Sequence, residues 1–174
     1  MNLIVAIDNK NGIGKNGDLL FHFKEDMKRF KFLTKYNTVI MGRKTLESLP
    51  NGKPLKERRN IIITRDTNYP SGDYLVLNSL DTIKMMASPH LPHISKYLYV
   101  IGGSEIYNQL IDYCEYAYVT VVYGDFNADT FFPDIFNSSN WKICEETEFK
   151  EVYINNKKYN YEFFTLRNNN VKTI

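Results

Sequence analysis

Val39-Ile40-Met41-Gly42-Arg43-Lys44-Thr45 passes from three consecutive apolar residues into a glycine, two cations and a hydroxyl. Apolar residues in an unbroken run, rather than alternating with polar ones, mark a strand covered on both faces. The residues after Gly42 keep a short helical pattern. A strand that gives way directly to a helix is the building unit of a parallel sheet. The same transition recurs at Ile101-Gly102-Gly103-Ser104.

Around these two stretches the rhythm continues. Apolar, β-rich runs at Leu3 to Ile7, Ile61 to Thr64, Tyr74 to Leu77, Tyr97 to Ile101 and Tyr116 to Tyr123 are interleaved with helical patterns. Those patterns lie at Glu25 to Tyr36, after Gly42, at Ser79 to Ala87 and at Ser104 to Ile111. An α/β fold is predicted, with a mostly parallel central sheet and flanking helices. The end of the chain differs. Lys142 to Ile154 and Lys158 to Leu166 flank Asn155-Asn156, a pair that tolerates the positive φ of a tight turn, so an antiparallel C-terminal hairpin is expected. One domain over 1–167 accounts for the whole pattern. Asn168-Asn169-Asn170 opens a polar tail over 168–174, and Ser88-Pro89-His90-Leu91-Pro92 reads as a surface loop.

With 174 residues the chain suits one domain, large enough to bury roughly 70% of its unfolded surface. Apolar residues make up 43% and charged residues 24%, which argues against disorder and against a coiled coil. The 22 basic and 20 acidic residues leave a charge of +2, so the footprint of a nucleic-acid binder is missing. No apolar run approaches the ~18 residues of a membrane span. Cys114 and Cys144 are too few for a disulfide scaffold and read as two buried thiols in a reducing compartment, so a cytoplasmic protein is expected. A monomer is expected too, since no exposed apolar stripe asks for a partner.

Four features could carry chemistry. Gly12-Ile13-Gly14-Lys15-Asn16-Gly17 fits G-x-G-x-x-G, yet Asp8-Asn9-Lys10-Asn11 separates it from the preceding strand, where a dinucleotide fingerprint would follow directly. Leu20, Phe23, Met27 and Phe30 keep helical spacing and would allow a helix beginning near Asp18, so a fingerprint, a glycine loop closing over a ligand and a plain surface turn all stay open. Asp26 shares a helical face with Phe30 and Leu33, which points a carboxylate toward the core. Such a group is either compensated, by the helix N-terminus or by Arg29, or functional: it could accept paired hydrogen bonds from an amidine-like edge of a heterocycle. Gly42 to Thr45 offers backbone N–H groups, two cations and a hydroxyl, and Arg65 ends the next strand. A solvated basic loop is the plain alternative, but a monophosphate on a ribose would explain both clusters. Gly102-Gly103 lacks two Cβ atoms, which permits either close ligand approach or tight packing. His22 reads as a loop residue. His90, His93 and the cysteines show no zinc spacing, so no metal is expected. No nucleophile elbow or Walker-type loop supports a hydrolase or NTPase.

Taken in order, Leu3-Ile4-Val5-Ala6-Ile7, Gly12-Ile13-Gly14, Glu25-Asp26-Met27-Lys28-Arg29-Phe30-Lys31, Val39 to Thr45, Asn60-Ile61-Ile62-Ile63-Thr64, Val100-Ile101-Gly102-Gly103 and Asp129-Thr130-Phe131-Phe132-Pro133 resemble the dihydrofolate reductase family. The resemblance implies an NADPH-dependent reduction of 7,8-dihydrofolate, by hydride transfer to pteridine C6 with protonation at N5, and binding of antifolates. It places Asp26, Thr120, Leu19 and Phe21 around the reacting centre. Ile4, Val5, Ala6, Met27, Phe30, Leu49, Leu55 and Ile101 would line the folate pocket, with Arg58 or its neighbour Arg59 on the glutamate carboxylate. Gly42, Arg43, Lys44, Thr45, Thr64 and Arg65 would hold the adenosine 2′-phosphate end of NADPH. Ile101, Gly102, Gly103, Ser104, Glu105, Ile106 and Tyr107 would lie against its pyrophosphate. Ala6, Ile13, Gly14, Asn16, Gly17, Asp18, Leu19 and Thr130 would surround the nicotinamide side, the glycine stretch serving as a lid.

The resemblance departs at Leu20, Phe21 and Lys24, where the family usually carries proline, tryptophan and proline. A phenylalanine lacks the indole N–H donor, and the lid segment loses two backbone constraints. Two other readings stay open at this point: a silent NADPH-binding module and a riboflavin-pathway pyrimidine reductase of similar fold.

Overall fold

The computed structural model describes residues 1–88 and 90–173. Pro89, in the predicted surface loop, and Ile174, at the end of the predicted tail, lie outside the described residues. The chain runs β1 (Asn2–Ile7), β2 (Gly12–Lys15), β3 (Asp18–Leu19), α1 (Lys24–Thr34), β4 (Thr38–Gly42), α2 (Arg43–Ser48) and β5 (Arg59–Ile63). It continues with β6 (Leu75–Leu77), α3 (Asp81–Met86), α4 (Pro92–Ser95), β7 (Leu98–Gly102), α5 (Ser104–Leu110) and β8 (Tyr116–Tyr123). β9 (Thr130–Phe131), β10 (Trp141–Glu146), β11 (Lys150–Ile154) and β12 (Lys157–Asn168) complete it.

The main sheet has the order β10-β12-β8-β1-β7-β4-β5-β6, with β11 also paired to β12. From β8 to β6 all neighbours are parallel, and β12 joins β8 antiparallel. Because side chains alternate across a strand, the sheet carries two cores. Leu3, Val5, Ile7, Ile40, Val100 and Val119 pack with Ile83 of α3 and Ile106, Tyr107 and Leu110 of α5. Val39, Met41, Ile62 and Tyr99 pack with Leu46 of α2 and Leu33 of α1 on the other face. The carboxyl ends of β1, β4, β5 and β7 therefore meet along one edge, and β7 enters between β1 and β4, which sets a crevice there.

The predicted α/β architecture is present, with differences of detail. The C-terminal hairpin turns at Asn155 and Asn156, both with positive φ. Its first arm is two strands: β10 and β11 each pair with β12, and residues 147–149 break the run. The polar tail begins one residue later than expected, because Asn168 ends β12, is buried, and donates to the Cys114 carbonyl. Cys114 is buried as expected, but Cys144 is exposed, since it sits in β10 at the margin of the sheet. Phe32 of α1 and Tyr36 just beyond it are exposed, as are Phe149 and Tyr153 near β11, so some aromatic surface faces water. Among the described residues no helix is long and apolar enough to cross a membrane.

The glycine stretch forms neither a helix start nor a loose loop. β2 and β3 make a hairpin around Asn16-Gly17, both at positive φ, and β9 adds a third strand, so a small antiparallel sheet stands beside the main one. The Asp8 to Asn11 turn precedes it, closed by Asp8 N to Gly12 O at 3.1 Å. The buried Asp8 carboxylate accepts from the N–H groups of Lys10, Gly12 and Phe126, tying the turn to the segment after β8.

Candidate active site

Alternation along β1 turns Ile4 and Ala6 toward the α1 face and sends Val5 into the opposite core, so Val5 meets the crevice with its main chain alone. Opposite them, α1 delivers Asp26 to β8, where the buried Thr120 hydroxyl donates to Asp26 Oδ1 at 2.6 Å. Burial pushes the Asp26 carboxyl above its ordinary value; the Thr120 hydroxyl, the Arg29 guanidinium and His22 pull it back, in that order. Arg29 does not compensate the acid by pairing with it. Its two terminal nitrogens donate to Val119 O and Phe164 O at 3.1 and 3.0 Å. Met27 is half exposed on the same helix and Phe30 partly buried, with Leu33, Leu49 and Leu55 packed on the α1-side core.

Arg58 is partly buried and donates through Nε and Nη2 to the Thr34 hydroxyl, both at 3.2 Å, at the far end of α1; Arg59 is exposed. The buried Asn60 side chain clamps Leu55 through bonds to its N–H and carbonyl, which shapes the intervening loop.

Across the crevice the ends of β4 and β7 converge. A Cβ built on Gly103 would stand 3.3 Å from Thr45 Oγ1, and one on Gly42 would stand 3.2 Å from Ile106. Gly102 has φ +121, and a Cβ there would meet the Tyr107 ring at 3.2 Å. The Gly102–Gly103 peptide is cis. Tyr107 is buried and donates to the Ile4 carbonyl at 2.7 Å, so it props the end of β1; burial pushes its phenol well above the ordinary value. Arg43, Lys44 and Arg65 form a cationic rim beside this point. Arg43 pairs with Glu47 at 3.0 Å, and the exposed Arg65 approaches Glu105 at 3.7 Å. Thr64 is buried and accepts from the Asp66 N–H.

The small sheet borders both regions. Ser104 donates to the Phe131 carbonyl at 2.8 Å, and Asp129 Oδ2 accepts from the Asn16 N–H at 2.7 Å while Oδ1 accepts from Thr130. Those two bonds hold the Asp129 carboxyl below its ordinary value. Leu19 is exposed on β3 opposite Gly14, Asp18 accepts from the Leu19 N–H, and Ile13 is buried in the main core. Phe21 is turned inward, 5.0 Å from Phe126 and 6.3 Å from Phe23 between ring centroids, in a cluster that reaches Ala6. Two surface recesses lie elsewhere, about 400 Å³ by Tyr123, Glu151, Lys158, Tyr159 and Asn160, and about 250 Å³ by Asp8, Lys10, Asp125 and Phe131; neither joins the acid to the cations.

Sequence reasoning missed three contributors: the Arg29 fork, the Asp129 tether and the Asp8 clamp. The first two depend on chain separations of about a hundred residues and leave no local signal, whereas Asn16-Gly17 is a recognised hairpin dipeptide.

A partly buried acid beside a parallel sheet, with a glycine junction and a cationic rim at the carboxyl ends of neighbouring strands, is the arrangement of an α/β protein whose ligand site lies where the strand order reverses. Comparison with known proteins narrows this. The dihydrofolate reductase family matches residues 1–168. The dihydrofolate reductase of Staphylococcus haemolyticus is 36% identical over 163 residues, covering 94% of this chain and 92% of that protein. That of Bacillus subtilis is 33% identical over 171 residues, covering 98% and 95%. A solved structure of the Enterococcus faecalis dihydrofolate reductase, complexed with NADP(H) and RAB-propyl, aligns with a TM-score of 0.78 at 32% identity, covering 97% of this chain and 95% of that one. The chain belongs to the dihydrofolate reductase family.

Proposed function

We infer that the protein reduces 7,8-dihydrofolate to 5,6,7,8-tetrahydrofolate with NADPH, and that the Asp26–Thr120 pair holds the pteridine. The observation that carries this reading is a partly buried carboxylate with one oxygen already fixed by a hydroxyl at 2.6 Å. So oriented, Asp26 can accept from two adjacent donors of a flat ring, the N3 and 2-amino edge. Ile4, Ala6, Met27, Phe30, Leu49, Leu55 and Ile101 would wall the ring and the benzoyl group, and Arg58, steadied by Thr34, would take the glutamate carboxylate in preference to Arg59.

The residues present fit NADPH. The glycine junction at Gly102-Gly103, where a Cβ would crowd Thr45 and Tyr107, lets main chain approach a pyrophosphate, and Arg43, Lys44, Thr45 and Arg65 suit a 2′-phosphate. Bound there, NADPH supplies the hydride that C6 of the substrate accepts while N5 takes a proton. The protein's share is positioning and the exclusion of water. The small sheet of β2, β3 and β9 would cover the nicotinamide side, with Asn16 held to Asp129. Asp26 lies on the far side of the pteridine from N5 in this arrangement, so it acts electrostatically and the N5 proton arrives through water. The same chemistry, together with a chain that carries two cysteines, supports a reducing, cytoplasmic setting.

The test is direct. Purified protein given dihydrofolate should oxidise NADPH, and Asp26→Asn should lose most of that activity at neutral pH while still folding and binding NADPH. Cofactor binding without turnover would indicate a silent module, and turnover of a ribosylated pyrimidine alone would indicate the riboflavin-pathway reaction.

A further inference from the structure

We propose that Arg29 is a positioning residue for this reaction: it pins α1 to the paired strands β8 and β12 and supplies the fixed positive charge against which the Asp26 carboxylate is set. The proposal rests on the reading of Asp26 as the acid that receives the substrate.

The geometry is specific. Val119 and Phe164 are register partners in the β8–β12 pair, and the guanidinium donates one nitrogen to the carbonyl of each. Its carbon sits 4.6 Å from the centroid of the Phe163 ring and 5.8 Å from that of Tyr118. A planar fork with two acceptors and two aromatic neighbours has little freedom to swing. Val119 adjoins Thr120, so the strand that Arg29 grips is the strand that orients Asp26. The three-residue spacing on α1 brings the cation beside the acid, yet its donors go to main-chain oxygens. A direct Arg29–Asp26 pair would occupy the carboxylate edge that a heterocycle needs; the observed fork leaves that edge free and keeps the charge close.

Among the described residues the groups around Asp26 offer no other fixed positive charge. Facing Asp26 are Thr120 and His22, together with the buried Tyr107 of α5 and the buried Tyr161 of β12. The tyrosines are neutral at physiological pH. The His22 side chain is largely exposed and lies 3.8 Å from Asp18, so water and a second acid share its influence. Facing Arg29, besides Asp26, are Tyr118 and Glu145. Burial lowers the proton affinity of Arg29, and Asp26 is the first group that restores it.

Two neutral substitutions and one charged one separate charge from anchoring. Arg29→Gln keeps an amide donor for a carbonyl, Arg29→Met keeps the packing of the stem, and Arg29→Lys keeps the charge without the fork. The Asp26 carboxyl is followed by carbon-13 NMR across pH in the apo protein. In whichever neutral variant folds, its midpoint should move up by about one pH unit, and Lys should restore most of the wild-type value. KM for dihydrofolate should rise severalfold in the neutral variants with KM for NADPH unchanged. A midpoint that stays put in a folded neutral variant, or a Lys variant displaced as far as Gln, would overturn the proposal and leave Arg29 a structural brace. Because the titration needs no turnover, failure of the protein to reduce dihydrofolate would be seen separately in the wild-type assay.

Discussion

The two ends of the crevice solve opposite problems. At the acid end, Asp26 and Arg29 come from a helix and Thr120 from a central strand, and the Thr120 hydroxyl and both terminal nitrogens of Arg29 have fixed acceptors. At the other end, Lys44 and Arg65 are exposed, the latter at 91%, and Arg43 and Arg65 face the carboxylates of Glu47 and Glu105. Charge at the first end is costly to bury and so discriminates by geometry. Charge at the second is hydrated and screened, and attracts without demanding a single pose. Both guanidinium groups there lie against a carboxylate, which offsets part of their charge.

The contrast has measurable consequences. Asp26→Asn should produce the largest effect, a fall in kcat/KM for dihydrofolate at pH 7 of about 10²-fold or more. The same variant should melt higher. Because burial raises the carboxyl in the folded protein above its value in the unfolded chain, the ionised acid costs stability as pH climbs through that interval. Each kcal/mol recovered is worth about 2–4 °C in a domain of this size. A variant that stays active, or melts lower at neutral pH, would show that the acid end is not a strained recognition site.

Replacing Arg43, Lys44 and Arg65 together by alanine should weaken NADPH binding by about tenfold, the sum of a few screened charge pairs, while NADH binding stays level. Added salt should shrink the wild-type preference toward that of the variant in a titration of both cofactors. Equal losses for the two cofactors would move the phosphate site elsewhere.

The smallest effect belongs to Asp129→Ala, which frees Asn16. Amide exchange at Asn16 should quicken, with kcat altered by about two- to threefold. Since its two hydrogen bonds hold the Asp129 carboxyl below its unfolded value, this tether is intact above that value and is lost as pH falls through the folded one. Wild-type Asn16 exchange, corrected for its intrinsic pH dependence, should therefore rise in acid and the variant's should not.

Much of this was readable from the chain. The β-rich run Tyr116 to Tyr123 marks β8 at both ends, and Asn155-Asn156 marks the turn between β11 and β12, because covered strands and positive-φ turns leave local patterns. Asp26 is conspicuous because a carboxylate on an apolar helical face needs a reason. Elsewhere local pattern fails. The pairing of β2 with β9 joins residues more than a hundred apart, and the break at 147–149 reflects how two short strands share β12. Arg29 looked like a partner for Asp26 at helical spacing; only the folded sheet offers two carbonyls that compete for it. Phe21 packs against Phe126, more than a hundred residues away in the chain, in a cluster that reaches Ala6, and no local pattern signals that contact.

β12 lies between β8 on one side and β10 and β11 on the other, and supplies Phe164, whose carbonyl Arg29 grips. A proline at Thr165, which faces Tyr118 of β8 on one side and Glu145 of β10 on the other, would therefore interrupt a ladder paired on both flanks and loosen the strand whose carbonyl holds α1.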